Sequence, residues 1–116
     1  MPVYLGLCRS AEELRKECRR LRIDARMEPE FLADGASGAV VTIAKDNEVA
    51  CIVCIGDTVG ISPIKVASTL VHEAVHVWQQ VKRALGETDP SDEFEAYSIG
   101  TIAERLFDAF VESEKK

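Results

Sequence analysis

The stretch SPIKVASTLVHEAVHVWQQVKRALG, residues 62–86, predicts one long amphipathic helix around which the chain is organised. Ser62 is a favoured N-cap residue, Pro63 a favoured first helical residue, and Gly86 is typical of a helix end. We expect the helix to run to about Leu85. Its apolar residues recur at helical spacing and form one broad arc that should face the core. The arc consists of Val66, Ala67, Leu70, Val71, Ala74, Val75, Val77, Trp78, Val81 and Leu85.

The other face of this helix carries His72, Glu73 and His76, and the chain has 2 histidines in all. Residues four apart lie one turn apart on the same helix face, so both imidazoles can reach one zinc ion. Glu73 stands beside them and can hold a zinc-bound water without being a ligand. The pattern predicts a zinc site that points away from the packed side of the helix. The alternative is that these residues simply form its polar face.

A catalytic zinc ion takes a third protein ligand and leaves a fourth position for water. Glu93 follows His76 after a short connection and lies in the first turn of a predicted last helix, where an acidic residue is favoured. Glu95 is the main alternative, since it lies about 200° around the helix from Glu93 and nearer that helix's apolar arc. Asp89 and Asp92 are further candidates.

The remaining elements follow from local signals. Ser10 and Glu13 form a capping-box pattern that starts a first helix, which ends near residues 21–22. Two short β-branched runs, residues 39–44 and 49–55, predict a β-hairpin.

The segment Asp89-Pro90-Ser91 starts the last helix, which continues to about Val111. The predicted order is therefore α-β-β-α-α. We expect one small α+β domain over residues 1–116, with a small antiparallel sheet.

The pattern His72-Glu73-x-x-His76, followed on a later helix by Glu93-x-x-Ala96, resembles the gluzincin metallopeptidases. It is most similar to the single-domain minigluzincins and to small zincin-type proteins carried by phages and mobile elements. The resemblance covers residues 62–106 and is only topological for the hairpin.

The resemblance implies a minimal zincin-like domain that hydrolyses peptide bonds. It implies that His72, His76 and Glu93 are zinc ligands and that Glu73 is the general base. The protein or peptide substrate would lie extended along the second strand, residues 49–55, as along an edge strand.

Two departures from the family pattern bear on activity. Tyr97 stands where many gluzincins have an acidic residue, and its hydroxyl would orient a ligand histidine or donate to the oxyanion. The alternative is a tyrosine at the rim of a helix interface. No further histidine or arginine is placed to stabilise the tetrahedral intermediate. We therefore expect weak or highly restricted peptidase activity, and the competing hypothesis is a zincin-fold interaction module with a structural or vestigial zinc site.

Composition and charge limit the partners and the cellular compartment that we expect for this protein. The 116 residues carry a formal net charge of −6, which argues against nucleic-acid binding and against an anionic membrane surface. No signal-peptide pattern opens the sequence, so we expect a cytoplasmic protein whose 4 cysteines are free, buried thiols. The hairpin leaves unpaired edges, which is compatible with a monomer or a homodimer.

Overall fold

Three helices and a three-stranded sheet make up a mixed α+β fold in the computed structural model, which describes residues 3–33, 35–45 and 48–115. The elements, in chain order, are β1 (Val3–Cys8), α1 (Ala11–Arg20), a 3-10 turn (Ala25–Met27), β2 (Gly38–Lys45), β3 (Glu48–Ile55), α2 (Pro63–Ala84) and α3 (Asp92–Glu114). None of the helices in the described part of the chain is long and apolar enough to cross a membrane.

The sheet has the order β1-β3-β2 and is mixed. β3 pairs antiparallel with β2, as the predicted hairpin requires, and parallel with β1. The predicted order α-β-β-α-α, with an antiparallel sheet, is therefore wrong in omitting β1. That strand is a short apolar run interrupted by Gly6, and a partner far along the chain stabilises it rather than a local turn.

β3 is the central strand, which corrects the expectation that residues 49–55 form a substrate-binding edge. β1 occupies the edge that a two-stranded hairpin would leave open. All residues from Val49 to Ile55 are buried as a result. Among the described strands, β1 and β2 are the edges, and β2 packs directly against α2.

Alternating residues of β3 build a core on each face of the sheet. Cys51, Val53 and Ile55 pack with the apolar arc of α2 and with Leu106 of α3. Ile52 packs on the opposite face, in a cluster that also contains residues of α1. The fold is therefore three layers, with α1 on one face of the sheet and α2 and α3 on the other.

The cysteines are free and buried, as the sequence predicts. Cys51 and Cys54 face opposite sides of the sheet, so they do not form a metal-binding knuckle. Burial raises the pKa of the Cys8 thiol to about 12 and that of Cys54 to about 11, and these two thiols are therefore protonated at neutral pH.

The helix ends confirm the capping signals. The hydroxyl oxygens of Ser10, Ser62 and Ser91 each accept a hydrogen bond from the backbone N–H three residues later, at 3.1 to 3.2 Å. Gly86 takes a φ of 70° just beyond α2, where a residue with a Cβ would be strained. α3 begins one residue after Ser91 and runs past the predicted end to Glu114.

Arg9 ties the end of the sheet to the end of α3. Its guanidinium donates to the carbonyl oxygens of Ile55 and Gly56, each at 3.2 Å, and to the Glu114 carboxylate at 3.0 Å. It also lies 4.6 Å from the ring centroid of Phe110. The Arg9 side chain is only 15% exposed, so its bonds to the two carbonyl oxygens are partly shielded from water, whereas Glu114 is half exposed.

We expect Arg9→Ala to lower the free energy of unfolding by about 2 kcal/mol or more, since it leaves several partly buried acceptors without a donor. Arg26→Ala is the matched control, because Arg26 pairs with Asp24 on the surface and is 89% exposed. The control should leave the free energy of unfolding nearly unchanged. Chemical denaturation measures both, and equal effects of the two substitutions would contradict the role given to Arg9.

Candidate metal centre

His72 and His76 lie near the middle of α2, and their imidazoles converge on one point outside the helix. Their Nε2 atoms are 3.2 Å apart, and the two rings meet edge to face at an interplanar angle of 79°. Both side chains are exposed, whereas Leu70, Ala74 and Val77 of the same helix are buried. The predicted orientation of the histidines is therefore confirmed. Val71 and Leu85, which the sequence places on the buried arc, are exposed, so the arc is narrower than predicted.

This separation fits two ligands of one zinc ion. Zinc–nitrogen bonds of 2.0–2.1 Å at a tetrahedral angle place two ligand nitrogens about 3.3–3.4 Å apart. The observed 3.2 Å corresponds to an angle of roughly 103° at a zinc ion bound to both. In the metal-free protein the same distance allows a hydrogen bond in which one Nε2 donates to the other.

Gln79 lies against the Nδ1 atom of His76. This ring nitrogen is 2.9 Å from the Gln79 side-chain oxygen, which is a hydrogen-bond acceptor. In the tautomer in which Nδ1 donates to this oxygen, the Nε2 atom of His76 can accept from His72 or bind a metal. The sequence contains this signal, because Gln79 is three positions after His76 on the same helix face, but the sequence analysis missed it.

Glu73 is only 4% exposed, although the histidines on either side of it are open to solvent. The prediction that the whole motif points away from the packed side is wrong for this residue. Its position around the helix, next to Thr69 and Val77, turns its side chain toward β2, where one carboxylate oxygen lies close to Gly38. The sequence could not show this contact, because it depends on how β2 docks against α2.

The Glu73 carboxylate is buried but accepts no hydrogen bond from a described residue, as expected of a base rather than of a carboxylate with a structural role. Burial raises its pKa above the ordinary value, and the charges of His72 and His76 oppose that shift. No described residue donates a hydrogen bond to it, and no fully buried side-chain oxygen in the described chain is left unpaired. The carboxylate oxygens therefore keep contact with water and can accept a proton from it.

His72, Glu73 and His76 are the cluster of potential ligands in the described residues, and their ligand atoms all lie within 4.8 Å of one another. Glu93 is exposed in the first turn of α3 and is not part of the cluster. Asp89 and Asp92 are also exposed outside it, and Tyr97 is 74% exposed. The structure thus brings together three of the predicted site residues and leaves the α3 residues apart from them.

Glu95 is the α3 carboxylate that faces α2. It accepts a hydrogen bond of 2.8 Å from the indole N–H of Trp78, and it lies 3.8 Å from the ammonium nitrogen of Lys82. Phe94 packs edge to face on the same indole, with ring centroids 5.6 Å apart. Trp78 is buried, as predicted, and these contacts fix the first turn of α3 against α2.

A cavity of about 310 Å³ is lined by residues at the end of β3 and in the first two turns of α2. Ile55 and Thr69 line this cavity, and both also lie next to Gly38 and the Glu73 carboxylate. Much of the remaining wall is apolar and includes Leu32 and Val66. Two imidazoles, a water-accessible carboxylate and a nearby cavity can together hold a divalent metal and a small part of a substrate.

We expect Gln79→Ala to weaken zinc binding by roughly 10- to 100-fold, because loss of the partner to Nδ1 frees the ring and the tautomer of His76. Gln80→Ala is the control at the next helix position. Competition between protein and a chelator for zinc measures both affinities. Indistinguishable affinities of the two variants would show that Gln79 does not orient the ligand.

The comparisons with known proteins do not assign this arrangement to a family. No protein-family model matches the chain, and neither the curated proteins nor the solved structures gave a significant match. The resemblance to gluzincins therefore stays a prediction, and the function has to be argued from the geometry and chemistry of the site.

Proposed function

We propose that this protein is a zinc-dependent metallopeptidase in which His72 and His76 bind the metal and Glu73 acts as general base. The observation that carries the proposal is the 3.2 Å convergence of two imidazole nitrogens beside a buried carboxylate. A polar helix face without a function would not require a shielded glutamate between two exposed histidines. An ionised carboxylate is costly to bury unless a partner or a catalytic role compensates.

In the proposed reaction, zinc and Glu73 have separate roles. When bound, zinc would supply a Lewis acid that polarises the peptide carbonyl and acidifies water. Glu73 would accept a proton from the attacking water and return it to the amine leaving group. Its raised pKa suits both steps, since a base that takes and returns a proton works best with a pKa closer to the working pH.

We further propose that the third ligand comes from the first turn of α3. The family pattern assigns Glu93, whereas the packing of α3 favours Glu95. Glu95 already faces α2 through Trp78, and Glu93 lies about 200° away around the helix. Glu95 is therefore the acidic residue that the packing of this turn brings to the α2 helix.

We therefore expect Glu95→Gln to weaken zinc binding at least tenfold and Glu93→Gln to leave it nearly unchanged. Glutamine at position 95 retains an oxygen that can accept from the Trp78 N–H, so the helix contact is kept while an anionic ligand is lost. Zinc affinity measured by chelator competition compares the two isosteric variants. The reverse order of affinities would assign the ligand to Glu93.

The substrate class follows from the shape of the site. An extended peptide can add to the outer edge of β2, which is unpaired among the described strands and lies against α2. One substrate side chain could then enter the cavity lined by Ile55 and Thr69. The proposed substrate is therefore a protein or peptide.

A second candidate function is an interaction module with a structural or vestigial zinc site. It is favoured by one observation: no α3 carboxylate joins the described ligand cluster, and Tyr97 is too exposed to act as a shielded donor. Such a module would need zinc for its fold and would have no need of a base.

Glu73→Gln separates the two functions. The metallopeptidase predicts that the variant keeps its fold and its zinc but loses at least about 100-fold in the rate of peptide cleavage. Elemental analysis, circular dichroism and cleavage of a mixed peptide library measure these properties. A wild type that binds zinc without cleaving any peptide, and a variant that behaves like it, would favour the interaction module.

A further inference from the structure

Gly38, the first residue of β2, lies against the Glu73 side chain of α2. A Cβ at this position would lie 3.0 Å from a Glu73 carboxylate oxygen, 3.0 Å from Cδ1 of Ile55 and 3.1 Å from Cγ2 of Thr69. These distances are shorter than ordinary van der Waals contacts of about 3.5–4.0 Å. The absence of a side chain at residue 38 therefore creates the space that the carboxylate occupies.

The requirement for glycine at this position is one of space and not of backbone conformation. Gly38 lies in a regular strand, paired with Ile55, and its φ is outside the left-handed region that favours glycine. Any residue could adopt the backbone there. Gly100 in α3 provides the contrast, because a Cβ there would meet no atom within 4 Å apart from the neighbouring backbone of its own helix.

We propose that Gly38 is a positioning residue for Glu73, and that it sets the place of the carboxylate relative to the two histidines. The catalytic part of this inference rests on the proposed peptidase function. The steric part does not, because it concerns only the contact between residue 38 and Glu73.

A methyl group at residue 38 would act on the carboxylate first. Ile55 belongs to the buried core, and the Thr69 hydroxyl donates to the Lys65 carbonyl oxygen at 3.1 Å, whereas the carboxylate is the end of a flexible side chain. The side chain of Glu73 would therefore move by a few tenths of an ångström or more. Neither histidine is among the nearest atoms that a Cβ at this position would meet, so zinc binding should not change.

The first experiment compares Gly38→Ala with Gly100→Ala, which makes the same chemical change in open space. We expect Gly38→Ala to lower kcat/KM for a library peptide about tenfold or more, because the base is displaced from its productive position. Its zinc affinity should stay within about twofold of wild type. Gly100→Ala should match wild type in both. Wild-type activity in Gly38→Ala would overturn the proposal.

The second experiment isolates the contact by a thermal-unfolding cycle on the metal-free protein. Gly38→Ala should lower the Tm by roughly 5 °C when Glu73 is present and by clearly less in the Glu73→Ala background, since truncation removes the opposing carboxylate. Equal shifts in both backgrounds would mean that Ile55 and Thr69 meet the added methyl group, and would overturn the proposal.

These two experiments also distinguish the inference from the proposed function. A wild-type protein that cleaves nothing contradicts the peptidase function, while the unfolding cycle still decides whether Gly38 positions Glu73. A positive cycle together with unchanged kcat/KM in Gly38→Ala would mean that the contact exists but does not position the base, and would overturn the inference.

Discussion

The burial of one helix face on the sheet is the constraint on which the rest of the structure depends. α2 places Leu70, Ala74 and Val77 against the central strand β3. Once that face is buried, the helical spacing directs His72 and His76 toward solvent. It places Glu73 at the boundary between core and solvent. The geometry of the candidate centre is thus a consequence of hydrophobic packing, and the polar residues do not have to create it.

This arrangement costs free energy because it buries the Glu73 carboxylate. Taking a carboxylate out of water raises its pKa and disfavours its charged form, and the neighbouring histidines offset part of that effect. A divalent ion between the imidazoles would offset more, because its charge lies close to the carboxylate. The proposed metal would therefore account for the burial of a carboxylate between two exposed histidines.

The sequence predicted what depends on local patterns and missed what depends on distant pairing. The α2 helix, its caps and the hairpin follow from periodicity and from Ser62, Pro63 and Gly86. β1 was missed because its paired residues in β3 lie 46 positions further along the chain. This omission also made β3 a predicted edge strand, although it is the central strand. The two histidines were placed correctly, but the burial of Glu73 was not, because it depends on where β2 meets the helix.

The central claim is that His72 and His76 bind one zinc ion through their Nε2 atoms. A crystal structure of the zinc-loaded protein, with diffraction data collected on both sides of the zinc absorption edge, tests it most directly. The account predicts one anomalous peak per chain, about 2.0–2.1 Å from both Nε2 atoms, with the Glu73 carboxylate beside it and not bound to it. No peak at this position, or zinc held elsewhere while the two imidazoles stay metal-free, would contradict the account.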